Sequence, residues 1–120
     1  MKPQLSEGRS CERVELMLPI NGQYLGTGTD IHKFEGETTD VSFKGFGVKL
    51  KKADGISVGK DVKFNTRLYP GDFLIKAHGK VCWISGRSKP ENSVRMGVML
   101  TSMRHYSLWH DRIENEIYQN

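Results

Sequence analysis

The sequence predicts a mainly β fold: a six-stranded antiparallel β-barrel closed off by one C-terminal α-helix. Three observations lead there. Apolar residues alternate with polar ones in several short runs, which is the period of a half-buried strand. Glycine far outnumbers proline, 13 against 4, which suits tight turns in an ordered β chain. The hydrophobic spacing changes to a helical stripe only at the end, over Tyr106, Trp109, Ile113 and Ile117. Successive short strands with glycine-rich turns favour closure into a barrel.

Met1 to Glu12 carries few apolar side chains and reads as an arm, mobile until something binds it. Val14, Leu16, Leu18 and Ile20 then share one face of a strand, and Asn21-Gly22 reads as a turn. Gln23 to Glu37 is diluted by glycine and threonine and holds a strand or two. The segment from Thr39 to Gly45 leads into Phe46, Val48 and Leu50, which alternate with Gly47, Lys49 and Lys51. Ala53 to Lys60 is a loop with an Asp54-Gly55 turn. Val62, Phe64, Thr66 and Leu68 form the next strand, ended by Pro70-Gly71-Asp72. Phe73 to Ile84 is long, with a bend or bulge expected at Gly79. After a polar loop from Gly86 to Asn92, Val94 to Leu100 alternates again. Ser102 or Ser107 could cap the helix. The expected plan is a single domain over 1–120: an arm over 1–13, the barrel over 14–101 and the helix over 102–120.

Composition excludes several classes. A chain of 120 residues suffices for one core. It has no apolar run of the ~18 residues that a membrane-spanning helix needs. The first residues lack the apolar stretch of a secretory signal, so a cytoplasmic setting and free thiols at Cys11 and Cys82 are expected. Two distant cysteines and four scattered histidines make no metal-binding pattern, and no nucleophile–base signature appears. Metal and enzyme are therefore not expected, although a distant histidine such as His78 could still approach the Asp40/Ser42 pair. The net charge of +4 leans mildly toward anionic partners.

Two local patterns carry chemistry. Arg9 and Arg13 stand four apart at the junction of the arm and the first strand. Their guanidinium forks suit phosphate oxygens and the O6/N7 edge of guanine, and their planes can stack on a base. Four-residue spacing of arginines is common, however, and alone it also fits a solvated surface. The second pattern is Asp40-Val41-Ser42-Phe43-Lys44-Gly45. In an extended segment Asp40 and Ser42 share a face, and both can bond a purine. Gly45 and Gly47 allow close approach to the backbone. Read in isolation, the same residues equally make a polar turn between two strands.

Taken together, RxxxR before the first strand and DxSxxG about thirty residues later resemble the PilZ domain family. The resemblance extends through the strand after DxSxxG, the long strand ending Gly79-Lys80-Val81-Cys82-Trp83, the Arg95-Met96-Gly97-Val98-Met99-Leu100 strand and a final helix. It implies a bacterial six-stranded barrel that binds the second messenger cyclic di-GMP and needs no other cofactor. By resemblance, Arg9 and Arg13 grip phosphates and guanine edges, and Asp40, Ser42 and Gly45 line the guanine site. Gly47 and Trp83 join them as further candidates, Trp83 being divided between ligand and core. Gly8 stands where many relatives that bind two stacked ligands have another arginine, which favours one ligand per protomer.

The resemblance implies an adaptor: ligand orders the arm, and the new surface engages an unidentified output protein in motility, biofilm or exopolysaccharide control. Two other readings compete. One is an interaction adaptor that ignores nucleotides. The other is a barrel for single-stranded nucleic acid using Lys49, Lys51, Lys52 and Lys63, which lacks the expected aromatic cluster. No DNA, RNA or membrane partner is expected.

Overall fold

In the computed structural model, the residues described are 13–26, 30–52, 55–86 and 94–119. The first alternating run forms two strands, β1 (Val14–Glu15) and β2 (Pro19–Leu25), which both pair antiparallel with β3 (Ile31–Ser42). Glu15 faces Asp40 and Pro19 faces Glu37, so one extra residue sits between the two strands. Buried Thr38 fixes this slip. Its Oγ1 accepts from the Leu18 N–H at 2.7 Å and donates to the Leu16 carbonyl at 2.5 Å.

Asn21-Gly22 is not a turn but lies inside β2. Gly22 faces inward there, and a Cβ on it would strike the Phe34 ring at the centre of the sheet. Glycine at this position serves close packing.

β3 turns at Phe43-Lys44 into β4 (Gly45–Lys52), followed by β5 (Asp61–Thr66), β6 (Ile75–Ser85) and β7 (Arg95–Met103). Six strands are joined in the order β3-β2-β5-β6-β7-β4, and β4 returns to β3. This is the expected closed barrel, with β1 as a two-residue addition along β3. β2 and β5 therefore stand on the opposite wall from β7 and β4. The expected irregularity at Gly79 is present as a register shift between His78 and Gly79.

The helix begins later than 102. Ser102 and Met103 still belong to β7, paired with His78 and Ala77. Their backbone groups are already used in the sheet, so α1 runs over Tyr106–Gln119. His105, with φ 60°, makes the corner and accepts the Leu108 N–H at 2.9 Å. Neither serine is the residue that precedes the helix.

Inside the barrel, Ile20, Phe34, Val48, Phe64, Val81 and Met96 are almost fully buried. Each such side chain contributes roughly 1.5–3 kcal/mol relative to exposure. The helical stripe lands as expected: Trp109 and Ile113 are both 0% exposed, and Trp109 packs edge-on against Phe46 at 6.1 Å. No helix among the described residues is long and apolar enough to cross a membrane.

Candidate functional site

Two β-bulges shape the outer face of one wall. Strict alternation from the buried Thr38 would turn Asp40 inward. Instead Thr38 faces Val48 and Asp40 faces Gly47, leaving Thr39 as the extra residue. A bulge of this kind re-aims the following side chain. Asp40 consequently points outward, while Val41 is fully buried. On the other flank, Val81 faces Val98 and Trp83 faces Gly97, with Cys82 as the extra residue. Without that bulge, Trp83 would follow Ile75, Ala77 and Val81 into the core. It is 41% exposed, so core filling is not its role.

Register then aligns one outward row: Trp83, Gly97, Gly47 and Asp40, on four neighbouring strands. The two central positions have no side chain. Trp83 lies over Gly97, where a Cβ would collide with the indole. Asp40 lies over Gly47: its Oδ1 accepts the Gly47 N–H at 3.1 Å, and an added Cβ would sit 2.5 Å away. Arg13 completes the row, with Nη1 donating to Asp40 Oδ2 at 2.8 Å. The pair is partly exposed, so it adds on the order of 0.2–1 kcal/mol to stability. Its importance is positional. One fork of Arg13 is fixed on Asp40 while most of its N–H donors remain directed away from that bond.

The Ser42–Gly45 hairpin is held from outside. Neither Phe43 nor Lys44 has the positive φ of the turns that best match strand twist. Ser42 Oγ donates to the Gly45 carbonyl at 3.3 Å across the turn. The Trp109 indole N–H donates to the Ser42 carbonyl at 3.0 Å, and the Tyr106 hydroxyl donates to the Phe43 carbonyl at 2.7 Å. The Phe43 ring stacks on His110 at 4.4 Å. Helix α1 thus fixes the hairpin that carries the motif. Gly45 is required for packing, because a Cβ there would run into the Val98 carbonyl on β7.

Arg13, Asp40, Ser42, Gly45, Gly47 and Trp83 are therefore brought to one wall. Ser42 is only 6% exposed, so its hydroxyl serves the turn and the polar-turn reading of the motif is realised in part. Gly8, Arg9 and Cys11 lie outside the described residues. Exposed Cys82 is a free thiol at the bulge. His78 on β6 bonds Ser102, Nδ1 to Oγ at 3.1 Å, whereas Asp40 and Ser42 stand on β3, a strand that does not pair with β6. His110, Asp111 and Glu114 bring donor atoms within 4.8 Å of one another, but the carboxylates are exposed and the ring is engaged by Phe43.

A model of the PilZ domain matches residues 7–119. The chain belongs to the PilZ domain family. Solved structures agree on the fold. The Bacillus subtilis inhibitor of motility superposes with a TM-score of 0.65 at 16% identity, covering 92% of this chain and 48% of its own. This PilZ domain thus spans about half the length of that protein. The PilZ domain of YcgR from Escherichia coli, solved with c-di-GMP, gives 0.61 at 16% identity, covering 88% of this chain and 87% of its own. The PilZ domain of CeSA from a cellulose-synthesizing bacterium gives 0.57 at 16% identity, covering 88% and 95%. No curated protein matches the sequence.

Gly97 and Arg95 were not singled out from sequence, and Lys49 was named only for the nucleic-acid reading. Gly97 forms half of the side-chain-free floor. Arg95 and Lys49 face each other across β7 and β4, both exposed, one step along from Gly97 and Gly47. They add positive charge beside the row. A signal existed, since Arg95-Met96-Gly97 and Gly47-Val48-Lys49 both read outward-inward-outward. Only the strand register shows that they are neighbours.

Proposed function

We propose that this PilZ domain is a non-catalytic receptor for cyclic di-GMP that passes its signal to another protein. One observation carries the reading above all. Arg13 is fixed on Asp40 at one end of a glycine floor, and an exposed tryptophan stands at the other. The two glycines let the Trp83 indole and the Asp40 carboxylate lie down on the sheet, and a flat purine fits beside them with Trp83 as its stacking face. Asp40 can accept from the guanine N1–H and N2–H₂. The remaining N–H groups of Arg13 suit a phosphate or the O6/N7 edge, with Lys49 and Arg95 adding attraction for the dianion. Family membership supports this, as does the ligand named for the YcgR domain.

In this reading Arg9 joins Arg13, and the segment preceding β1 closes over the ligand. Gly8, in place of the further arginine of relatives that bind two stacked ligands, favours one ligand molecule per protomer. The new surface of segment, ligand and barrel rim then meets the output protein, in a cytoplasmic setting. Ordering that segment consumes part of the binding energy, so a dissociation constant on the order of micromolar is expected.

The nucleic-acid reading fares worse. Lys49 and Lys63 fall on opposite walls of the barrel, so they do not form one track.

Isothermal titration with cyclic di-GMP, against GMP and cyclic di-AMP, tests the proposal. Saturable, guanine-selective binding at one ligand per protomer is expected. Absence of heat and of any thermal shift at ligand well above micromolar would refute it and leave the nucleotide-independent adaptor.

A further inference from the structure

The wall opposite the glycine row has its own chemistry. The outward positions of β3, β2, β5 and β6 line up as Lys33, Gln23, Lys63 and His78, with Lys63 facing both Gln23 and His78. The adjacent row places Asn21, Asn65 and Lys76 side by side. These residues line a groove of about 460 Å³, in which no carboxylate appears among the described residues. Glu35, opposite Asn21, stands outside it on the far side of β2.

None of Lys33, Lys63 and Lys76 makes an ion pair among the described residues. Gathering lysines in one groove, with Glu35 and Asp61 outside its lining, is unfavourable for the barrel alone. We infer that this β2–β5 wall is a docking surface for an acidic segment of a partner protein.

The interleaved amides favour protein over nucleic acid. Asn21, Gln23 and Asn65 can each donate to and accept from peptide groups, while the lysines take carboxylates as point charges. Sequence-tolerant binding of single strands needs aromatic platforms, and the one aromatic lining residue besides His78, Phe64, is buried in the core. Four strands at about 4.8 Å spacing give roughly 14 Å across, the reach of about four extended residues. The surface is independent of the nucleotide reading, and its wall is not the one that bears Asp40 and Trp83.

The test uses the full chain and a fluorescein-labelled peptide of alternating glutamate and serine, followed by anisotropy at low and high salt. An oligothymidylate of equal length serves as the rival ligand. The peptide is expected to bind, and the K33E/K63E pair to weaken it at least about tenfold. K51E, outside the groove, should change it less than about twofold. The side-chain amide resonances of Asn21, Gln23 and Asn65 should shift on titration. Because both reversed lysines are exposed, melting should be unchanged, and K63Q gives a milder check in the same direction. Tighter binding of oligothymidylate through the same lysines overturns the inference in favour of nucleic acid. An equal effect of K51E, or no peptide binding, overturns it outright.

Discussion

The two broad walls of this barrel share a sheet and differ in what covers it. On β2 and β5 every outward position bears a side chain, and at the centre of the wall the surface is a layer of amides and lysines. On β4 and β7 the outward positions Gly45, Gly47 and Gly97 bear none, and the Asp40 and Trp83 side chains of the flanking strands lie across Gly47 and Gly97 instead. A side-chain layer can adapt to a flexible chain. Side chains laid flat on a glycine floor make a rigid surface that suits a planar ring. The glycine wall needs support that the other does not: two bulges to turn Asp40 and Trp83 outward, and three contacts from α1 to hold the hairpin. Its residues are therefore coupled to the fold, whereas those of the lysine wall are nearly free of it.

That contrast can be broken by substitution, and the largest effect should come from Gly45→Ala. Its obstacle is the Val98 carbonyl, which cannot move without distorting β7. Urea unfolding should show a loss of about 2–3 kcal/mol. Gly47→Ala meets only side-chain atoms, the Asp40 carboxylate and the Thr39 hydroxyl, which can rotate away, so it should lose clearly less stability. Equal losses would show that the two glycines do not differ as described.

Arg13→Ala sharpens the comparison. Titration calorimetry should show cyclic di-GMP affinity falling by roughly 1.5–3 kcal/mol, the scale of a charged hydrogen bond. Stability should change by no more than about 1 kcal/mol, because the Asp40 pair is exposed. An affinity loss below about threefold would remove Arg13 from the site.

Trp83→Ala should weaken the ligand by about 1–2 kcal/mol if the indole stacks on a base. Its melting temperature should barely move. A large drop in melting with unchanged affinity would return Trp83 to a purely structural role. The smallest effect belongs to the opposite wall: Lys63→Gln should leave cyclic di-GMP affinity within about twofold in the same titration.

Much of this was legible in the sequence, for physical reasons. Period-two runs such as Val62–Thr66 and the stripe of Tyr106, Trp109 and Ile113 report burial directly, so the barrel and helix could be read. Arg13, Asp40 and Gly45 were singled out through the family resemblance of their two motifs, since either spacing alone also fits a solvated surface or a polar turn. Bulges were not, because an extra residue leaves no mark in composition. Trp83 therefore stayed undecided between core and ligand, and Asn21-Gly22 passed for a turn although Gly22 serves packing against Phe34. Neighbours such as Gly97 and Gly47 are fifty residues apart. Their pairing is set by register, which depends on the closed barrel as a whole. The late start of α1 has the same origin, since the Ala77–Met103 pairing extends β7 past its alternating run.

The most direct test is a titration of the ¹⁵N-labelled chain with cyclic di-GMP, followed by two-dimensional NMR. The account predicts progressive shifts at the Gly47 and Gly97 amides and the Trp83 indole N–H. The side-chain amides of Asn21, Gln23 and Asn65 should stay in place. Shifts confined to the lysine wall, or saturating binding that leaves Gly47, Gly97 and Trp83 unmoved, would contradict it.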